Sequence, residues 1–377
     1  MSPLYVMRTL MRGNAKMQFR HYTHERNYGC RISDEFTLRG LRLLIIENEK
    51  IRVSVLLDQG TDIYEFLHKP TDTDFMWRRP TGVRNPAVSL EMRASSVGAF
   101  GDYYEGGWQE CLPNGGRVCE YKGVEMGMHG EVWGLPWRCQ ITRDEPEVVQ
   151  AKTWVRTVRT PFLLEKTFTL RSGSGVLEID ETLTNEGQEQ IDLMWGHHPA
   201  LGSRFLEQDC RIDCAADTVV VDSNVAEGSR FEPAQRFPWP RGLGRDGKEV
   251  DVSVVVPPED RVDDMLYLTD LREGWWAVTS EPRRLGFGIS FDLETFRHIW
   301  LWMPLGGSWR SPSWGRHYTL ALEPFSSYPA ILTNAIEAGT QLVMEPGERR
   351  STWLRAVAYD EVGRVAGISE EGEITPA

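Results

Sequence analysis

Three stretches of the chain combine proton-transfer side chains with backbone able to present them. GMHGEVWGLPW, residues 127–137, sets His129 between Gly127 and Gly130. Glycines permit sharp bends, so this imidazole either enters a cleft or caps a turn. IDLMWGHHPAL, residues 191–201, reads as a buried strand that delivers His197 and His198 at its exit. A strand end on a rigid sheet suits a catalytic group, and equally a solvated terminator. RHYTLALEPFSSYP, residues 316–329, alternates Tyr318, Leu320 and Leu322 against His317, Thr319, Ala321 and Glu323. Glu323 then occupies the smaller, more polar face, either as a solvated charge or as a carboxylate lining a pocket. An imidazole and a carboxylate facing one another across a shared cleft would divide acid and base work near neutral pH.

The elements that must hold these groups are strands. IRVSVLLDQG, LGFGISFD, LLEKTFTLRSG and VLEIDETLTNEG alternate apolar and polar residues, and Gly, Asn, Asp or Ser-Gly turns bound them. Period-two runs of this kind along the whole chain predict antiparallel sheet, and the 3.6-residue stripe of helices is nearly absent. The chain is expected to be all-β, with large packed sheets. Residues 1–34 read as an N-terminal arm, residues 35–362 as one domain, and residues 363–377 as a polar, loose tail. The irregular Gly/Pro/Trp-rich region from about 75 to 140 is too long for a plain loop, so it should carry function or short strands.

Composition narrows the partners. The 377 residues carry a net charge of −13 without a lysine- or arginine-rich stretch. Nucleic acid and anionic membrane surfaces both require a basic footprint, so neither is expected. The longest apolar runs, such as LRLLIIE and VSVVVPP, have strand length, far below the roughly 18 residues of a membrane span. The first 30 residues lack a signal-peptide core. Cys30, Cys111, Cys119, Cys139, Cys210 and Cys214 are scattered without CxxC spacing. Reduced thiols in a cytoplasmic protein are the expectation, with no metal site. No GxSxG nucleophile motif occurs.

Taken in order, MHG with a following tryptophan, HHPAL, VDDMLYL, LALEPFSSYP and VMEPGERRSTWLRAVAY resemble the stations of the aldose 1-epimerase (galactose mutarotase-like) family. VSVLLDQGTDIYEFLHK is similar to that family's early strand. The resemblance runs from about residue 35 to 360 and implies a β-supersandwich with a sugar on the concave face of a large sheet. It implies Glu323 as the general base on the anomeric hydroxyl and His198 as the general acid on the ring oxygen. His129 would hydrogen-bond the sugar, with His197 among the binding side chains. One of Asp263 and Asp264, with Asp264 preferred, would hold hydroxyls, and Arg84 would take the family's sugar-binding arginine position. Trp108, Trp133 and Trp302 are candidate stacking platforms.

Two departures affect the substrate. Ala200-Leu201 stands where an aromatic pair is expected, and GGWQECLPNGG, residues 106–116, is insertion-like, as in a less characterised branch. Which sugar binds is left open. Arg78, Arg79, Arg84, Arg297 and Arg310 are available for an acidic one. The expected partner is a small-molecule sugar, with a homodimer as the candidate assembly and no cofactor. Two alternatives stand beside the isomerase. One is a non-catalytic carbohydrate-binding protein of the same fold. The other is a glycoside-processing enzyme with Asp263, Asp264 or Glu110 as second carboxylate.

Overall fold

Alternation of apolar and polar residues becomes sheet wherever one face can be buried. In the computed structural model, which describes residues 26–88, 96–202, 204–208 and 210–377, 18 strands join in one hydrogen-bonded system. Ladders within it are antiparallel. One run pairs Arg138–Asp144, Val148–Arg156, Phe162–Arg171, Val176–Asn185, Arg349–Asp360 and Leu285–Phe291 in succession. A second pairs Trp108–Cys111, Gly196–Leu201, Leu320–Phe325 and His298–Leu305.

The 19-residue strand Val262–Ser280 belongs to both runs. Its first part pairs with His298–Leu305 and its last part with Leu285–Phe291. Asp270, at φ 57°, marks the break between the two parts. The result is the β-supersandwich of the galactose mutarotase-like fold. Between the sheets lie Phe66, Phe75, Phe205 and Phe287, with Phe66 and Phe287 edge to face at 5.0 Å. Each such side chain contributes about 1.5–3 kcal/mol by leaving water.

Short helices, Ser96–Tyr103 and Leu332–Ala338, interrupt the strands. The first lies in the irregular region, which also carries the strands Trp108–Cys111, Cys119–Tyr121 and Val124–Met126. Gly242, Gly244 and Gly247 have the spacing of a dinucleotide-binding loop. They sit instead in and beside the hairpin of Arg241–Leu243 with Glu249–Asp251, with no helix following. Among the described residues, no helix is long and apolar enough to cross a membrane.

The C-terminal residues correct the expected loose tail. Val365–Ile368 and Ile374–Pro376 pair as a hairpin, and Val365 and Ile368 are buried against Ala215, Trp275, Ala277 and Val357. Arg364 Nε donates to Asp213 Oδ2 at 3.0 Å. The polar EEGE stretch is only the turn of this hairpin, which is why composition misread it. Most of the expected arm lies outside the described residues. Its last residues begin the strand Arg31–Leu38, which pairs with Leu41–Glu47.

Candidate active site

Register brings the acid–base candidates together. Gly196 pairs with Phe325 and Ala200 with Ala321, which sets His198 opposite Glu323 on neighbouring strands. His198 Nε2 lies 3.6 Å from Glu323 Oε1, and both side chains are buried. The next strand places Trp300 opposite Glu323 and Trp302 opposite Ala321. Beyond it, Met265 faces Trp302 and Asp263 faces Pro304. These side chains floor a cavity of about 470 Å³.

The far side comes from the irregular region. His129 sits in a left-handed turn at φ 59°, followed by Gly130 at φ 72°. A Cβ on Gly130 would collide with the Leu112 carbonyl, so the close approach of this turn to the sheet requires glycine. His129 N donates to the Gly115 carbonyl at 2.6 Å, and His129 Nδ1 lies 3.2 Å from Cys111 Sγ. Phe100 stacks on the imidazole at 4.2 Å, and the rings of His129 and His198 are 5.0 Å apart. Tyr104 stacks on Phe100 and meets His198 edge-on at 5.8 Å.

Burial sets the protonation of this group. It pushes the Glu323 carboxyl well above the usual carboxylate range, with no positive partner to offset the loss of water. It pulls His198 down to about 4. His129 falls well below its ordinary value, first through burial and then through the neighbouring His198. Burial thus disfavours the charged form of both groups.

The strand pleat sorts the remaining candidates. Asp263 shares parity with Met265 and lines the cavity, where it accepts a hydrogen bond from Ser308 Oγ at 2.6 Å. Asp264, the preferred member of the pair, points the other way. Its carboxylate takes Arg230 Nε at 2.6 Å and the Arg230 amide at 2.9 Å, at zero exposure. Asp263, and not the preferred Asp264, is the member that faces the cavity, because side chains alternate faces along a strand.

Two substitutions separate these roles. Asp264→Asn should cost about 1–3 kcal/mol by stripping a charged bond from Arg230. Asp263→Asn should change stability by less than about 0.5 kcal/mol and weaken sugar binding. Denaturant melts and sugar titrations of the two variants check this; equal stability losses would contradict the assignment.

Parity also removes His197 and Trp108 from the cavity. Both face the space between the sheets, where Trp108 Nε1 donates to His197 Nδ1 at 3.2 Å and His197 Nε2 meets Glu181 Oε2 at 3.0 Å. Glu110, on the same side, accepts Trp195 Nε1 at 2.7 Å. It cannot serve as a second carboxylate for the cavity. Glu110, Glu181 and His197 would suit a cation by composition. Lys166 already supplies one, at 2.7 Å from Glu110 and 3.4 Å from Glu181. Trp133 lies one layer behind the wall, edge-on to Phe100 at 5.1 Å. Arg84 is exposed and does not line the cavity, whereas Arg79 does. Of the three platforms, Trp302 faces the cavity, 5.3 Å from the His198 ring.

Sequence reasoning missed Phe100, Tyr104, Arg117, Asp222 and Trp300, all lining residues. Trp300 shares strand parity with Trp302 and was within reach of the pattern. Phe100 lies within, and Tyr104 just beyond, a short helix in the irregular region, and they carried no signal.

In structure the chain is similar to a candidate aldose 1-epimerase from Klebsiella pneumoniae, with a TM-score of 0.68 at 15% identity over 88% of this chain and 83% of that one. It is similar to a galactose mutarotase-like protein from Clostridium acetobutylicum, with a TM-score of 0.62 at 14% identity over 89% of this chain and all (100%) of that one. A galactose mutarotase related enzyme from Lactobacillus acidophilus gives a TM-score of 0.57 at 14% identity, covering 84% and 97%. At these identities the likeness shows the fold. No curated protein is significantly similar in sequence. The model of a domain of unknown function, DUF4432, matches residues 38–357, and the chain belongs to that family.

Proposed function

We propose that the protein interconverts the anomers of a free sugar by acid–base ring opening, with Glu323 as base and His198 as acid. The observation that carries this reading is the 3.6 Å approach of their Oε1 and Nε2 atoms on the floor of the cavity. The anomeric oxygen and the ring oxygen are bonded to one carbon, so two groups at this spacing can address both. Glu323 takes the proton of the anomeric hydroxyl while His198 protonates the ring oxygen. The bond between C1 and the ring oxygen breaks, and a free aldehyde forms. Rotation about C1–C2 and reversal of both transfers closes the other anomer. Protons balance between the two side chains, so the cycle uses no cofactor.

The desolvation of the pair suits this cycle. With a closed sugar the working form is carboxylate and imidazolium; with the open-chain sugar it is carboxylic acid and neutral imidazole. Burial disfavours both charges and so favours the arrangement that accompanies ring opening. Trp300 and Trp302 offer flat faces to the apolar side of a pyranose. The mutarotase-like names of the structural neighbours support the same reading.

The pH profile follows from the proton count. Below about 4 His198 also binds a proton, and the pair has no base. Above the raised value of Glu323 the shared proton is lost, and the pair has no acid. Anomer exchange, measured by NMR across pH 3–10 (roughly the range in which the fold can be assayed), should give a bell. Its acid limb should lie near 4 and its alkaline limb above the ordinary carboxylate range. Exchange no faster than buffer on every sugar, with calorimetric binding intact, would make the protein a binder instead.

A further inference from the structure

Arg79 is a buried cation with no carboxylate at ion-pair distance among the described residues. The residue is 6% exposed and lines the cavity. Its Nη1 donates to the carbonyls of Gly101 and, at 3.3 Å, of Tyr104, and its Nη2 reaches the Pro312 carbonyl at 3.5 Å. Its Nε has no hydrogen-bond partner, and among the described residues no carboxylate forms an ion pair with it. Burial pulls its guanidinium down; Arg84 and Arg316 nearby repel the charge, with Asp102 and Tyr104 opposing them. Arginine nonetheless stays protonated in proteins.

His317 completes this end of the cavity. It is 4% exposed, its ring sits edge-on to Trp77 at 4.8 Å, and its Nδ1 has no partner. Burial first, and then Arg79 and Arg316, hold it down to about 4. Two of the lining carboxylates are engaged elsewhere, and Asp102 attracts the Arg79 charge without forming an ion pair. Asp263 accepts Ser308, while Asp222 accepts the Tyr267 hydroxyl and lies 3.7 Å from Arg117. An uncompensated buried charge is costly unless a ligand completes it.

We infer that the substrate is an anionic sugar whose carboxylate or phosphate seats against Arg79, with His317 beside it. This rests on the proposed anomerase reading for the chemistry at the sugar's other end. Tyr104 spans the two, since its carbonyl accepts from Arg79 and its ring contacts His198. The free anion neutralises Arg79 and, by its charge, raises His317 so that the second imidazole can also donate.

The test uses galacturonate, glucuronate, glucose 6-phosphate, galactose and glucose, each measured both by calorimetry and by NMR anomer exchange. An anionic sugar should bind about 10–100-fold more tightly than its neutral counterpart, and salt should weaken that preference. The uronate and phosphate arms show which anion fits. Arg79→Gln should abolish the preference. Arg79→Lys, which keeps the charge, should retain part of it and guards against a variant that fails to fold. Neutral sugars binding as well as both anionic kinds would overturn the inference. Tight anion binding without exchange would leave it standing while removing the anomerase reading.

Discussion

Glu323→Gln is expected to slow anomer exchange by about 10²–10⁴-fold and, at alkaline pH, to raise the melting temperature. The first effect follows because the amide cannot take the proton of the anomeric hydroxyl. The second follows from linkage. In the unfolded chain this carboxyl ionises near its ordinary value of 4.5, whereas burial holds it well above that in the folded protein. The folded state then binds more protons than the unfolded one, so stability falls as pH rises through this window. Glutamine carries no such penalty, and the variant's advantage should be absent at pH values below about 4 and grow from about 5 upward. Exchange rates with thermal melts at acid and alkaline pH check both halves. A variant that melts below the parent at alkaline pH, or that exchanges anomers at the parental rate, would refute the assignment of Glu323.

Lys166→Met is expected to destabilise the fold by about 3–5 kcal/mol. Lys166 is 4% exposed, and its ammonium binds Glu110, Glu181 and, at 3.1 Å, the hydroxyl of Thr61. Burial opposes its charge, but Glu110 and Glu181 outweigh burial and hold it above 10.5. Burial likewise opposes the charge of Glu181, and His197 and Lys166 outweigh it to hold the carboxyl below 4.5. The network's contribution is therefore present between these values. It is lost in acid as Glu181 gains a proton, and in strong base as Lys166 loses one. The deficit of Lys166→Met should be full near neutral pH and shrink in acid. Adding Glu110→Gln and Glu181→Gln should recover much of it, because the cost lies in the stranded carboxylates. Urea melts at several pH values measure this; a single variant within about 0.5 kcal/mol of the parent would show the network to be dispensable.

How much of this was legible in the chain differs by element. The period-two runs gave away the strands, because a half-buried sheet needs that alternation wherever it occurs. Phe162–Arg171 shows the limit: Leu164, Phe168 and Leu170 read as a core face interrupted by Lys166, yet all four are buried. A charge on a core face is intelligible only once Glu110 and Glu181, distant in sequence, are seen to meet it. VDDMLYL teaches a milder version. Val262, Leu266 and Leu268 were the apolar members and already marked the face that Asp264 shares, so parity alone favoured Asp263. His197 and His198 were harder, since both are buried and only the opposing strands tell which side is the cavity.

By itself the sequence determined the all-β class and the strand stations, and it marked His129, His198 and Glu323 as candidates to follow. Periodicity and residue chemistry are local properties, written wherever the side chains stand. Only the tertiary structure decided that His198 and Glu323 face one another, that Arg79 and not Arg84 reaches the cavity, and that the C-terminal residues dock. Each of those depends on register and on loops folded across the sheet, where segments a hundred or more residues apart determine one another's surroundings.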